Sequence, residues 1–88
     1  MMYKVIYTPQ AFKTLEKMDK YTKTLIYAWI DKYLNECEDP RSRGKALKGG
    51  SKDLWRYRVG DYRIIAKIDD GKLIILLIKI GHRREIYK

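Results

Sequence analysis

The chain is poor in the residues that build disulfides, metal sites and membrane spans. It has 1 cysteine, Cys37, in 88 residues, which excludes an intrachain disulfide and a cysteine-rich metal site. Its longest apolar run, Leu73 to Ile78, is far too short to cross a bilayer, and its first residues do not form a charged-then-apolar signal segment. We therefore expect a cytoplasmic protein with no bound metal, no cofactor and no membrane partner.

Acidic residues are far fewer than basic ones, and this imbalance points to the kind of partner. The chain has 20 Lys and Arg against 11 Asp and Glu, a net charge of +9, which favours a polyanionic partner such as nucleic acid, an acidic membrane surface or an acidic protein. The hydrophobic share of 45% is normal for a globular protein. At this length we expect a single folded domain over residues 1–88.

The order of the predicted elements indicates an α+β fold. Thr8 before Pro9 is typical of a helix start, with an N-cap followed by proline at the first helical position. Apolar residues then recur at helical spacing on both sides of a break at about Asp19 to Thr22. The elements are a strand at Tyr3–Tyr7, helices at about Pro9–Met18 and from the break to about Cys37, and strands at Leu54–Val59, Tyr62–Asp69 and Lys72–Ile80. We expect an N-terminal strand and a two-helix antiparallel hairpin packed on a mostly antiparallel sheet, which a C-terminal three-stranded meander completes.

Two apolar stripes are expected to face the core. They consist of Phe12, Leu15 and Met18 in the first helix and Leu25, Ile26, Trp29, Ile30, Tyr33 and Leu34 in the second.

Hairpin register predicts a cluster of arginines on the other face of the sheet. A two-residue turn at Gly60-Asp61 places Arg58 opposite Arg63 and sends Arg56 to the same side. Trp55, Tyr57, Val59, Tyr62, Ile64 and Ala66 then share the face that meets the helices. Directly opposed like charges destabilise a strand pair, so this arrangement favours an anion-binding role.

Two further regions extend this basic surface. A second two-residue turn at Asp70-Gly71 would place Ile78 opposite Arg63 and Leu76 opposite Ile65, giving the arginines an apolar floor. The tail after the last strand is expected to fold back near them, and the loop from Arg41 to Lys52 is basic and long for so small a domain. The side chains that we expect to support substrate binding are Lys45, Lys48 and Lys52 of the loop and Arg84 of the tail.

The two C-terminal segments carry a family resemblance. LWRYRVGDYRII at 54–65 and IGHRREIY at 80–87, following Ala46-Leu47-Lys48-Gly49, resemble the corresponding parts of the RelE/ParE superfamily of bacterial and archaeal toxins, and the order of elements fits over nearly the whole chain. The resemblance implies the toxin of a type II toxin–antitoxin pair, neutralised in a hetero-oligomeric complex by a RelB-like antitoxin that wraps it. In the RelE branch, the toxin enters the ribosomal A site and cleaves mRNA without metal, through attack of a ribose 2′-OH on the adjacent phosphate.

The resemblance also assigns roles to particular residues. It matches Arg56 and Arg58 to positions where RelE enzymes carry basic residues on their second strand. It matches Arg63 to the arginine of a Tyr-Arg pair. It matches Arg83 to an arginine of the tail and Tyr87 to a late tyrosine. With His82, which is added for its chemistry as a proton carrier, the expected catalytic set is Arg56, Arg58, Arg63, His82, Arg83 and Tyr87.

One departure from the family leaves the proton-transfer group open. RelE enzymes commonly carry lysine where this strand carries arginine, and arginine is a poor proton acceptor. His82 or Tyr87 is then the preferred candidate for moving the proton, and Arg83 would support the leaving group or the phosphate. The alternatives are a ParE-like inhibitor of DNA gyrase without catalysis and a basic nucleic-acid-binding module without toxicity.

Overall fold

The structure is a computed structural model that describes residues 1–47 and 54–86. These residues form two helices and five strands. The elements are β1 (Lys4–Tyr7), α1 (Pro9–Glu16), α2 (Lys20–Tyr33), β2 (Lys45–Ala46), β3 (Leu54–Val59), β4 (Tyr62–Asp69) and β5 (Ile74–His82). This confirms the predicted α+β class, and β2 adds a short strand that the sequence pattern does not predict.

The strands form one sheet in the order β1-β5-β4-β3-β2. The pair β1 and β5 is parallel, and the other three pairs are antiparallel. The N-terminal strand lies at one edge of the sheet. The core lies between the helices and one face of the sheet, where Ile26 and Ile30 of α2 pack with Tyr57, Ile64 and other fully buried side chains.

Both helices begin at caps that can be read in the sequence. Thr8 accepts the Ala11 N–H at 3.2 Å and donates its hydroxyl proton to the Leu77 carbonyl at 2.9 Å, which ties the start of α1 to β5. Asp19 accepts the Thr22 N–H at 3.0 Å, so α2 begins at Lys20, inside the segment predicted as a break.

The predicted apolar stripes are correct only in part. Leu15, Ile26, Ile30 and Leu34 are at most 1% exposed. Phe12 and Leu25, by contrast, are 49% and 45% exposed. In α1 the sheet is met by Ala11 and Leu15, one helical turn apart, and this rotates Phe12 towards solvent.

The register of the β3–β4 hairpin agrees with the prediction at every pair. Arg58 pairs with Arg63, and Val59 pairs with Tyr62 across the Gly60-Asp61 turn. The φ of +59° at Gly60 suits a tight turn of this kind. The arginines therefore lie on the face of the sheet opposite the helices, because Tyr57, Val59 and their partners occupy the helix-covered face.

The predicted register of β4 with β5 is wrong by three residues. Arg63 lies opposite Gly81 instead of Ile78, and Ile65 lies opposite Lys79 instead of Leu76. Two of the three residues come from the connection, which runs over 70–73 rather than through two residues alone. The third comes from a bulge that skips Ile78 between the pairs Ile65–Lys79 and Ala66–Leu77.

The bulge changes which side chains reach each face. Because side chains alternate along a strand, one extra residue reverses the face of everything beyond it. Lys79 joins the arginine face, and His82 turns to the helix-covered side, where its ring lies 5.5 Å from that of Tyr62. The apolar floor predicted from Ile78 does not form in this way.

Neither of the two helices has the length and apolar character that a membrane crossing requires; this holds for residues 1–47 and 54–86.

Candidate functional site

A shallow cationic pocket lies on the open face of the sheet at the β2 edge. It has a volume of about 220 Å³ and is lined by Gly44, Lys45, Arg56 and Arg58. Lys45 is paired with Arg56 across β2 and β3, so two cationic side chains meet at one ladder position. We call this group of four residues the cationic pocket. Three of its four residues carry a positive charge, which suits a phosphate group.

The loop that carries Lys45 is held against β3 by two aromatic side chains. Tyr57 donates its hydroxyl proton to the Pro40 carbonyl at 2.6 Å, and Trp55 donates Nε1–H to the Arg43 carbonyl at 2.6 Å. The Arg43 guanidinium also lies 3.9 Å from the Tyr33 ring centroid. The helix-covered side of β3 thus positions the loop that completes the pocket on its other side.

Gly44 allows the loop to approach β3 closely. Its φ is +78°, a value that L-residues rarely adopt, and a Cβ at this position would collide with the Arg56 carbonyl oxygen. It would also lie within 2.9 Å of Trp55 Nε1 and so disturb that hydrogen bond. Glycine is therefore required where the loop meets β3.

The opposed arginines are not equally accessible. Arg58 is exposed, whereas Arg63 is only 8% exposed. Arg63 Nη1 donates to the carbonyls of Gly60 and Tyr62 at 3.3 and 3.2 Å. The buried guanidinium of Arg63, bonded to turn carbonyls, provides a fixed positive charge beside the exposed Arg58.

The sequence prediction did not place Lys79 on this face. Lys79 lies opposite Ile65, next to the Arg63–Gly81 pair, and comes to this face only through the bulge at Ile78. The sequence carries no turn or glycine signal for that bulge.

The tail turn, residues 83–86, packs back on the end of β5. Ile86 is 4% exposed, and its Cδ1 lies 3.4 Å from the position that a Cβ on Gly81 would take. Arg83 N–H donates to the Asp61 carbonyl at 2.8 Å, and Arg83 Nε lies 4.0 Å from Asp61 Oδ1. The Arg83 backbone is thereby fixed beside the β3–β4 turn at Asp61, which precedes Arg63 by two positions in the sequence.

The predicted site residues thus divide into three groups. The structure brings together Lys45, Arg56 and Arg58, with Arg63 paired to Arg58. It places the exposed Arg83 and Arg84 at the end of the sheet and His82 on the opposite face. The predicted residues Lys48, Lys52 and Tyr87 lie outside the described residues.

His82 lines a second and larger cavity of about 530 Å³ between α1 and the end of β5. Its lining includes Thr14 and Met18 of α1, Tyr62, and Glu85 of the tail turn. Within the described parts of the chain, no three or more His, Cys, Asp or Glu side chains are grouped so as to hold a metal ion.

A separate ionic cluster fixes the start of the loop to the β4–β5 connection. Asp70 Oδ1 accepts from Arg41 Nη1 at 2.9 Å and from the Tyr3 hydroxyl at 2.6 Å. The hydrogen bond from Arg41, followed by that from Tyr3, lowers the pKa of the Asp70 carboxyl below its usual value. The hydrogen bond between the Tyr3 hydroxyl and Asp70 raises the pKa of Tyr3. Arg41 therefore has a structural contact at the far end of the loop from Lys45.

The class of this protein is shown by its similarity to known toxins. Residues 5–87 match the family described as the ParE toxin of the type II toxin–antitoxin system parDE. The match covers nearly the whole chain, and the chain belongs to this family, within the RelE/ParE superfamily.

Individual relatives agree with the family assignment. Over 88 residues the chain is 26% identical to Toxin RelG of Mycobacterium tuberculosis, covering 100% of this chain and 99% of the relative. A chain of the archaeal RelE–RelB complex from Pyrococcus horikoshii is 29% identical with a TM-score of 0.74, covering 97% of this chain and 99% of that one. A chain of the RelBE2 toxin–antitoxin complex from M. tuberculosis has a TM-score of 0.77 at 22% identity, covering 94% and 100%. The last of these comparisons supports the fold alone.

Proposed function

We propose that this toxin is a ribosome-dependent endoribonuclease that cleaves mRNA in the A site without a metal ion. The observation that carries the proposal is the cationic pocket beside the Arg58–Arg63 pair. Arginine presents planar, paired donors to phosphate oxygens, and three cationic residues converge on a concavity of the open sheet face. Within residues 1–47 and 54–86 both helices pack on the other face of the sheet, which leaves this face accessible to an extended RNA strand.

The proposed reaction is an internal transfer at phosphorus. The ribose 2′-hydroxyl loses its proton as its oxygen attacks the adjacent phosphorus. The bond to the 5′-oxygen of the next nucleotide breaks and that oxygen takes up a proton, so the products are a 2′,3′-cyclic phosphate and a 5′-hydroxyl. Negative charge builds on the non-bridging oxygens during this step. Arg58 and Arg56 would stabilise that charge, and Arg63, paired with Arg58, would add a fixed positive charge. Arg83 would support the phosphate or the leaving oxygen.

The decisive experiment is transcript mapping after induced expression of the full chain. Primer extension on translated mRNA is expected to show cuts within codons, and Arg58→Ala is expected to reduce them about 100-fold, as loss of one charge-stabilising donor does in other enzymes. Lys20→Ala is the matched control, because it removes one exposed cation from the first turn of α2, away from the open face. Growth arrest without cuts would contradict the proposal.

A second candidate is a ParE-like inhibitor of DNA gyrase. Two observations favour it: the matching family is described as a ParE toxin, and the charged residues lining the cationic pocket are Lys and Arg, which are poor proton acceptors near neutral pH. This candidate predicts inhibited supercoiling in a gyrase assay with intact transcripts. A third, non-toxic nucleic-acid-binding module predicts no growth defect and an RNA affinity that falls steeply with salt.

The proposed partner is a RelB-like antitoxin in a hetero-oligomeric complex. The solved RelE–RelB complexes among the similar structures support this choice. Because the open face is basic, we expect the antitoxin to cover it with an acidic or amphipathic segment. If Arg58 in the purified complex stayed fully accessible to RNA, neutralisation by covering this face would be wrong.

A further inference from the structure

The tail turn depends on His82 for most of its hydrogen bonds. Of the four backbone N–H groups at 83–86, Arg83 N–H donates to the Asp61 carbonyl at 2.8 Å. Arg84 N–H donates to His82 Nδ1 at 3.2 Å. Glu85 and Ile86 donate to the His82 carbonyl at 2.8 and 3.0 Å. His82 thus accepts three of the four bonds, one of them with its imidazole ring.

The bond to Nδ1 determines what the imidazole can still do. A neutral histidine has one nitrogen that accepts and one that carries the proton. Since Nδ1 accepts from Arg84, the proton lies on Nε2, and the ring has no second lone pair to offer a substrate. Taking up a proton at Nδ1 would break the bond to Arg84.

The surroundings of the ring agree with a structural use. The rings of Tyr62 and His82 lie edge to face at 5.5 Å and 82°, on the helix-covered side of the sheet. Arg56 and Arg58 project from the other side. The imidazole is therefore separated by the sheet from the pocket in which the proposed reaction takes place.

The backbone is held by a hydrogen bond at Arg83 and by another at the residue that follows it. The Arg83 N–H is bound to Asp61, and the next N–H along the chain is bound to His82. These two bonds fix the backbone on both sides of the Arg83 side chain, whose Nε lies 4.0 Å from Asp61 Oδ1. If the imidazole acceptor is lost, the Arg84 N–H loses its partner and the backbone after Arg83 is no longer held.

We propose that His82 is a positioning residue: it accepts the Arg84 N–H and so holds Arg83 in place for RNA, and it does not transfer the proton of the reaction. The assignment rests on the proposed endoribonuclease function for its effect on activity, and it leaves Tyr87 as the preferred candidate for proton transfer. The histidine bond itself does not depend on that function.

Two variants separate positioning from proton transfer. In His82→Asn the side-chain oxygen can accept the N–H two residues on, as in an Asx turn, but cannot take up a proton. In His82→Phe the ring against Tyr62 is kept and the acceptor is lost. We expect cleavage of ribosome-bound mRNA to stay within about threefold of wild type for the asparagine and to fall about tenfold for the phenylalanine. Equal losses of about 100-fold or more in both would identify His82 as the proton-transfer group and overturn the proposal, and so would wild-type activity in His82→Phe.

An NMR measurement tests the bond without any activity. A long-range ¹H–¹⁵N spectrum of the wild-type imidazole is expected to show the proton on Nε2, and the Arg84 amide is expected to exchange slowly in wild type and His82→Asn but fast in His82→Phe. A proton on Nδ1, or fast exchange of Arg84 in wild type, would overturn the proposal. If wild type cuts no mRNA while the spectrum is as expected, the proposed function fails and the hydrogen-bonding role of His82 stands.

Discussion

Tyr57 and Arg58 are neighbours in β3, yet their surroundings are opposite. Tyr57 is 0% exposed, lies beneath the helices and donates to the Pro40 carbonyl, whereas Arg58 is exposed beside another arginine. The first interaction stabilises the fold, and the second, between like charges, opposes it. The comparison teaches that neighbouring residues of one strand face different surroundings: Tyr57 lies in the core, and Arg58 lies on the cationic face for which we propose RNA binding.

The largest expected effect is on the helix-covered face. Ile64 is fully buried and paired with Tyr57 and Ile80, so Ile64→Ala is expected to lower the free energy of unfolding by about 4 kcal/mol through lost burial and a cavity. Denaturant unfolding measures this. Lys67→Ala, at an exposed position of the same strand, should change it by less than about 0.5 kcal/mol. Equal effects of the two substitutions would contradict the division of the faces.

Gly44 links the two faces and should affect both. Gly44→Ala is expected to cost about 2 kcal/mol, because the residue keeps a positive φ and its Cβ would press on the Arg56 carbonyl. Moving the loop away also opens the cationic pocket, so RNA binding should weaken as well. Gly71→Ala is the matched control, since a Cβ there meets only ordinary contact with Asp69 at 3.5 Å. If unfolding curves and RNA titrations gave the same result for both variants, the close approach at Gly44 would support neither the fold nor the pocket.

On the open face, binding and stability should separate. Arg58→Ala is expected to weaken binding of a short single-stranded RNA about tenfold and to lower the log–log salt slope by about 0.7, because one phosphate contact is lost. The free energy of unfolding should stay the same or rise slightly as the repulsion from Arg63 is removed. Fluorescence titration across salt concentrations and denaturant unfolding provide the two readouts. A clear loss of stability with unchanged binding would reverse the role assigned to Arg58.

The smallest expected effect concerns the ionic cluster at the far end of the loop. The lowered pKa of Asp70 means that its carboxylate adds stability above the unfolded value of about 3.9, and that this addition is lost as pH falls through the lower folded value. Asp70→Asn should therefore flatten the fall in urea midpoint on acidification below about pH 4. Glu38→Gln, at an exposed site, should keep the wild-type profile. Identical profiles for all three proteins would mean that Asp70 adds nothing to acid stability.

The accuracy of the sequence-based register follows the length of the turns. The β3–β4 pairing was predictable because two residues, Gly60 and Asp61, leave few ways to close a hairpin. The β4–β5 pairing was not, because the connection over 70–73 includes Leu73 at a φ of +56° and the bulge at Ile78 has no glycine to mark it. Both departures depend on packing between distant parts of the chain.

The site was predictable to the same extent as the strands that carry it. The alternation that places Arg56 and Arg58 together is a local property of β3, and the structure agrees with it. Lys79 and the orientation of His82 depend on the bulge, so a local pattern does not reveal them. The exposure of Phe12 likewise depends on how α1 meets the sheet, a tertiary property.

The most direct test of the account is to locate bound RNA on the protein by NMR. Isotope-labelled protein titrated with a short single-stranded RNA is expected to show its largest shifts at Gly44, Lys45 and the side-chain Nε–H groups of Arg56 and Arg58. Signals of the exposed helix residues Phe12 and Leu25 should move little. The largest shifts on the helices, with the cationic pocket unchanged, would contradict the claim that the open face of the sheet receives the RNA.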